Sequence, residues 1–242
     1  MGISLIIRQR GQATIEYLIV IPMLLLLFLG SLQFIFIYEA KQTLNYAAFV
    51  GTRAGALNNG SMAAIQGGLA SGFAPLFSHG TDLPALKAAR KLAKTELGNT
   101  KLTLIEILNP TQVALNGFKN SNGEIPNDNL MYRSSTDTQD NMNVQDANLL
   151  KVRVTYCVRL VVPLVNRMIY GFGISSTLPP DPSSNSPASM LKVATPTTTS
   201  GQLCVGDPDY PYRIAVSSEA VVRMQSPFKA PGGLQNSGWS GP

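Results

Sequence analysis

The chain has 242 residues, a formal net charge of +5 at pH 7 and only 14% charged residues, which suits one ordinary domain plus a membrane anchor. Its Lys and Arg are scattered at low density, which argues against a nucleic-acid surface. With His79 as the only histidine and no Cys/His clustering around its two cysteines, neither a zinc site nor a Ser/His/Asp triad is supported, and no catalytic residue, metal or cofactor is expected.

A short basic leader containing Arg8 and Arg10 runs into Gly11, Gln12, Ala13, Thr14, Ile15, Glu16 and Tyr17, and residues 18–38 then carry no charged side chain. Within 17–38 the residues are apolar or small apart from Gln33. At ~1.5 Å per residue such a helix reaches roughly 30 Å, the thickness of a bilayer core. A cleaved secretory signal has a shorter apolar core followed by small residues, whereas this run continues into further helical sequence, so it should persist as an anchor. No second run of spanning length follows, and a single pass is the simplest reading. Arg8 and Arg10 lie before the run while Glu39 and Lys41 cancel after it, which places the N-terminus in the cytoplasm and the remainder outside. Pro22 would kink a helix in water but is tolerated in a membrane helix, where neighbours or a local adjustment satisfy the freed carbonyl.

Glu16 is the costly residue of this segment: a carboxylate at the start of the hydrocarbon region costs on the order of 2–3 kcal/mol unless paired or held near the interface. Two readings stay open from spacing alone. Glu16 sits at headgroup level beside Arg8 and Arg10, or it answers the α-amino group created when the chain is cut after Gly11, on its own chain or a neighbour.

Gly11 followed by four residues and then Glu16 and Tyr17 resembles the processing site of the tight-adherence (Flp) branch of type IV pilins. With the apolar run and the stretch Ala47, Ala48, Phe49, Val50, Gly51, Thr52, Arg53, Ala54, Gly55 and Ala56, the segment 8–57 resembles the TadE-like minor pseudopilins. The resemblance implies a prepilin peptidase cutting between Gly11 and Gln12, a role in assembly for Glu16 and Tyr17, and a small head with strands. The partners it implies are that peptidase, other pilins, pilus-assembly components and the lipid bilayer. The setting is the bacterial inner membrane with the head in the periplasm, the mature protein either staying there or entering the fibre.

The helix should continue as a stalk to Leu57, since Asn58, Asn59 and Gly60 give a clear stop. The expected organisation is thus a leader over 1–11, a transmembrane and stalk helix over 12–57 and a head over 58–242. Ala40, Ala47, Gly51 and Gly55 form a ridge of small residues, suited to packing on the chain's own domain or on another subunit. Asp82 and Pro84 open a second helix that Gly98 closes, with Leu86, Ala89, Ala93 and Leu97 as its buried stripe. Lys87, Arg90, Lys91 and Lys94 on the opposite face form a solvated surface, with contact to anionic lipid as the alternative.

Strict alternation over 150–162 marks a half-buried strand, with Leu150, Val152, Val154, Tyr156, Val158 and Leu160 on its apolar face. Ile214, Val216, Ala220, Val222 and Met224 make a second such face, and 101–108 a less regular third strand. Three strands covered by the stalk end and the Leu86 helix make a small α+β head. Cys157, on the polar face of its strand, and Cys204, in a loop over 175–211 dense in Pro, Ser, Thr and Gly, are expected to form a disulfide, with two free thiols as the alternative. The polar stretch 116–148 reads as a long surface insertion. Asp181, Asp207 and Asp209 are loop residues without the spacing of a calcium site. The apolar stretch 163–173 reads as core or sheet-edge packing, with a partner-binding patch as the alternative.

These features favour a minor pilin or pseudopilin that is a peptidase substrate. The alternative is an uncleaved single-pass envelope protein whose head binds a ligand or partner.

Overall fold

The computed structural model describes residues 12–171, 203–204 and 212–229. An uninterrupted helix, α1, runs Gln12–Leu57 with Pro22 inside it. Its two halves have opposite surroundings. Most large apolar side chains from Ile15 to Phe28, with Phe34, Ile35, Phe36 and Tyr38, are exposed, whereas Ala40, Leu44, Ala47, Ala48, Gly51, Thr52, Gly55 and Ala56 are buried. One side of the second half therefore belongs to the core of the head. The helix stops where expected: Asn59 and Gly60 adopt left-handed backbone, and the Gly60 N–H returns to the Gly55 carbonyl. Gly60 is required there twice over, since a Cβ on it would also strike the Phe228 ring.

The chain then reverses into α2, Met62–Phe73, which the sequence reading missed. Ile65, Leu69 and Phe73 recur every fourth residue and are fully buried, but Gly67, Gly68 and Gly72 conceal the helix, because glycine costs about 1 kcal/mol relative to Ala in a helix interior. Gly68 and Gly72 face α1, and the reason is steric. A Cβ at Gly68 would come within 2.8 Å of the Gly51 Cα and the Val50 carbonyl, and one at Gly72 within 2.7 Å of the Ala47 Cα. The small ridge of α1 thus packs on its own domain, with backbone nearly touching backbone.

A 3₁₀ turn at Ala74–Phe77 leads to α3, Leu83–Gly98. Ala89, Ala93 and Leu97 are buried as expected, but Leu86 is 51% exposed. The contact follows the narrow row of every fourth residue through Ala89, Ala93 and Leu97, where small side chains allow close approach, and Leu86 lies off that row.

Strand β1, Thr103–Asn109, follows. The expected insertion over 116–148 is instead a packed excursion. It contains α4 (Gln112–Phe118, beginning just before it), β2 (Glu124–Ile125), a 3₁₀ turn at Leu130–Tyr132 and α5 (Val144–Ala147). Ile125, Leu130, Val144 and Ala147 carry it into the main core, and the Asn148 side chain ties it by donating to the Pro126 and Val144 carbonyls. These anchors are single apolar residues among polar ones, too sparse to show a period.

Strand β3, Leu149–Arg159, ends earlier than the alternation suggested, and a short helix, α6, spans Val165–Gly171. Strand β4, Arg213–Arg223, and β5, Phe228–Lys229, complete the described chain. The main sheet has the order β1-β3-β4, antiparallel throughout, and β2 pairs with β5. The fold is α+β: a long N-terminal helix and a small head with antiparallel strands. The apolar face of β3, from Leu150 to Val158, lies in a core shared with α1, α2 and the buried row of α3 through Ala93 and Leu97, so α2 joins the two helices expected over the sheet.

The opposite face of β3 is not uniformly polar. Lys151 and Arg153 pair there with Glu219 of β4, but Thr155 and Cys157 are buried, and Cys157 joins a second small core of Leu102, Leu104, Leu203 and Cys204. The disulfide between Cys157 and Cys204 closes this core, with Cα atoms 5.4 Å apart.

Candidate functional site

The sequence directs attention to the start of α1. Gly11 lies outside the described residues, and Gln12 is the first residue of the helix. Glu16 and Tyr17 stand exposed on its opening turns, followed by a sleeve of exposed Leu, Ile, Val, Met and Phe side chains. In water such a sleeve would be unfavourable at roughly 25 cal/mol per Å² of apolar surface. Among the described residues this helix is the one long and apolar enough to cross a membrane, and very little of its apolar window is covered by the head. The chemistry available here is that of insertion and of helix contact.

One side of the sleeve meets the head at a defined contact. Gln33, the one amide side chain in the run, is completely buried and accepts a hydrogen bond at 2.8 Å from the backbone N–H of Val162, beyond the end of β3. Eight residues on, Lys41 donates to the carbonyl of Ser217 on β4. At the far end, Gln225 N–H and the Ser226 hydroxyl both donate to the Ala56 carbonyl at 3.0 Å. These bonds run the length of the covered half of α1, so the helix and the sheet form one packed unit. Gln33 was visible in the sequence as an exception, but its partner lies 129 residues away and no local signal announces it.

A charged cluster closes the same end of the sheet. Glu96, near the end of α3, pairs with Arg159 and lies 3.7 Å from Arg213, whose side chain is fully buried and also donates to the Cys157 carbonyl at 3.0 Å. Tyr156 donates to Glu96 at 3.2 Å, and burial, reinforced by the Glu96 charge, holds its hydroxyl above the ordinary phenol range. No nucleophile with a base stands in this cluster; it anchors the end of α3 to β3 and β4. It escaped the sequence reading because its members come from three separate elements.

Among the described residues no group of three His, Cys, Asp or Glu could hold a metal, and Asp181, Asp207 and Asp209 lie outside them. His79 is exposed, just after the 3₁₀ turn at Ala74–Phe77.

Residues 11–53 match the family model of TadE-like proteins. The match begins at Gly11 and stops within α1, so it bears out the family resemblance over the apolar sleeve and most of the stalk. The matched segment reaches the part of α1 that packs into the head and ends before α2 and the strands. No curated protein and no solved structure matches the chain.

Proposed function

We propose that this chain is a minor pilin or pseudopilin of a tight-adherence type pilus or a related secretion apparatus, anchored in the membrane by the first half of α1. The reading is carried by one observation: a TadE-like match that starts at Gly11 and runs along a helix whose apolar surface is largely uncovered until Gln33. On this reading a prepilin peptidase cuts between Gly11 and Gln12, the N-terminus faces the cytoplasm and the head faces the periplasm. Glycine suits the position before the cut because it leaves the scissile carbonyl open to attack. Glu16 and Tyr17 then lie in the first turns of the mature helix, where Glu16 meets the new α-amino group of its own or a neighbouring chain. Pilins and assembly components would be met along the exposed side of the helix.

Co-expression with a prepilin peptidase tests this. Wild-type protein should convert to a form shorter by the leader, and Gly11→Val should remain full length. A Gly11→Val variant cut at the same place as the wild type would refute the assignment.

A further inference from the structure

The turn after β3 and helix α6 carry apolar side chains that neither the core nor the TadE-like segment uses. Val161, Leu164 and Met168 are exposed, at 66%, 59% and 43%, and Tyr170, 37% exposed, sets one ring face edge-on against Tyr212, while Val162 and Val165 are buried. The segment therefore has one side against the protein and one apolar side open. Leu164 has φ of 68°, a left-handed conformation unfavourable for a residue with a Cβ, and it holds an aliphatic side chain outward instead of folding it in.

The height of this segment is fixed by its bond to α1. Val162 donates to Gln33, and α6 touches α1. From Ile15 to Gln33 a helix rises about 27 Å at ~1.5 Å per residue, close to the ~30 Å of a hydrocarbon core. If Glu16 marks one boundary of the bilayer, a ~30 Å core ends about 20 residues on, near Phe36, so Gln33 lies just inside the other boundary, where Phe34, Phe36 and Tyr38 of α1 are exposed as well. Exposed Arg167 and Tyr170 are residue types suited to the headgroup zone, where a long cationic side chain reaches phosphate and a phenol spans the polar and apolar layers.

We propose that α6 and the turn before it form an interfacial foot, seated in the headgroup and upper acyl region of the leaflet from which α1 emerges. The foot rests on the membrane-anchored reading of α1. It gives the head a second point of attachment and thereby sets its tilt on the bilayer, which a single helix alone leaves free. Gln33 bonds the foot to the anchor, and the buried pair Val162 and Val165 packs it onto the protein.

The test places single cysteines in the full-length protein at Leu164 and Met168, with Met131→Cys on the head as the exposed reference and Leu24→Cys inside the sleeve as the control for anchoring. Labelling with an environment-sensitive fluorophore without reductant spares the buried disulfide, and the labelled proteins are reconstituted in phosphatidylcholine vesicles containing lipids with a nitroxide near the headgroup or deep in the chain. The expected result is blue-shifted emission and loss of intensity with the shallow nitroxide at 164 and 168, loss with the deep nitroxide at 24, and no loss at 131. Deep quenching at 24 with emission at 164 and 168 as water-like as at 131 overturns the foot and leaves the anchor intact. Labels at 164 and 168 shielded from aqueous iodide yet untouched by lipid nitroxide mean a protein contact, and this also overturns it. An unquenched label at 24 removes the anchored reading, and the foot with it.

Discussion

Two neighbouring glycines in α2 should respond in opposite directions to the same substitution. Nothing lies within 4 Å of a Cβ built on Gly67, so Gly67→Ala adds a methyl without a clash and reduces the freedom of the unfolded chain, a gain of roughly 0.5–1 kcal/mol. At Gly68 the same methyl meets the Gly51 Cα and Val50 carbonyl at 2.8 Å, which are backbone atoms of α1 and cannot rotate away. Forcing helices apart in a packed core costs about 1–3 kcal/mol, which set against the same propensity gain leaves a net loss of up to about 2.5 kcal/mol, centred near 1. Thermal unfolding of the full-length protein in mild detergent, followed by circular dichroism, reads both signs. For a domain of this size 1 kcal/mol corresponds to about 2–4 °C in Tm, so Gly67→Ala should raise Tm by a few degrees and Gly68→Ala should lower it by a similar or larger amount. Equal stabilisation by both would show that α2 does not cross α1 at Gly51, and the close-packed stalk would be wrong.

Glu219 should make the sheet sensitive to acid: hydrogen bonding from Lys151, then Arg153, holds its carboxyl below the ordinary value of 4.5. Because the folded state depresses this group, its contribution is present above the unfolded value and fades as pH falls through the folded one. The group is partly exposed, so Glu219→Gln should cost less than about 1 kcal/mol at neutral pH and nothing once both forms are protonated; a pH-independent difference in denaturant midpoint would contradict this. Removing the disulfide by Cys157→Ala with Cys204→Ala should lower stability by roughly 4 kcal/mol, as the bond closes a loop with a sequence separation of 47, and unchanged denaturation would argue that the loop is already ordered without it. For Glu16→Ala, cleavage should proceed while pilus assembly falls, and normal pilus number by electron microscopy would remove Glu16 from assembly.

Much of this was legible because it is written in local periods. β3 and β4 alternate with period 2, α1 is a long apolar run with a stop at Asn58, Asn59 and Gly60, and Asp82 with Pro84 opens α3 near where it begins. What stayed hidden depends on partners remote in sequence. Gly68 and Gly72 look like loop formers until the backbone of α1 is seen against them, and Cys157 looks solvent-facing until it is seen in one core with Leu102, Leu104 and Leu203. The 163–173 stretch was readable as apolar, and residues 172–173 lie outside the described residues; the exposure of Leu164 and Met168 at the level of Gln33 was not readable, because that level is set by a bond to α1. Gly11 and Glu16 are the reverse case: both are conspicuous in sequence, and the processing role proposed for one and the assembly role proposed for the other rest on the resemblance rather than on packing.

The pseudopilin assignment is tested most directly by the N-terminal residue of protein taken from membranes that contain a matching prepilin peptidase. Mass analysis of the N-terminal peptide should find Gln12 as the first residue, with Glu16 retained. A chain that begins anywhere else would contradict the pseudopilin reading, and one that keeps Gly11 and the residues before it would favour an uncleaved, membrane-anchored binding protein.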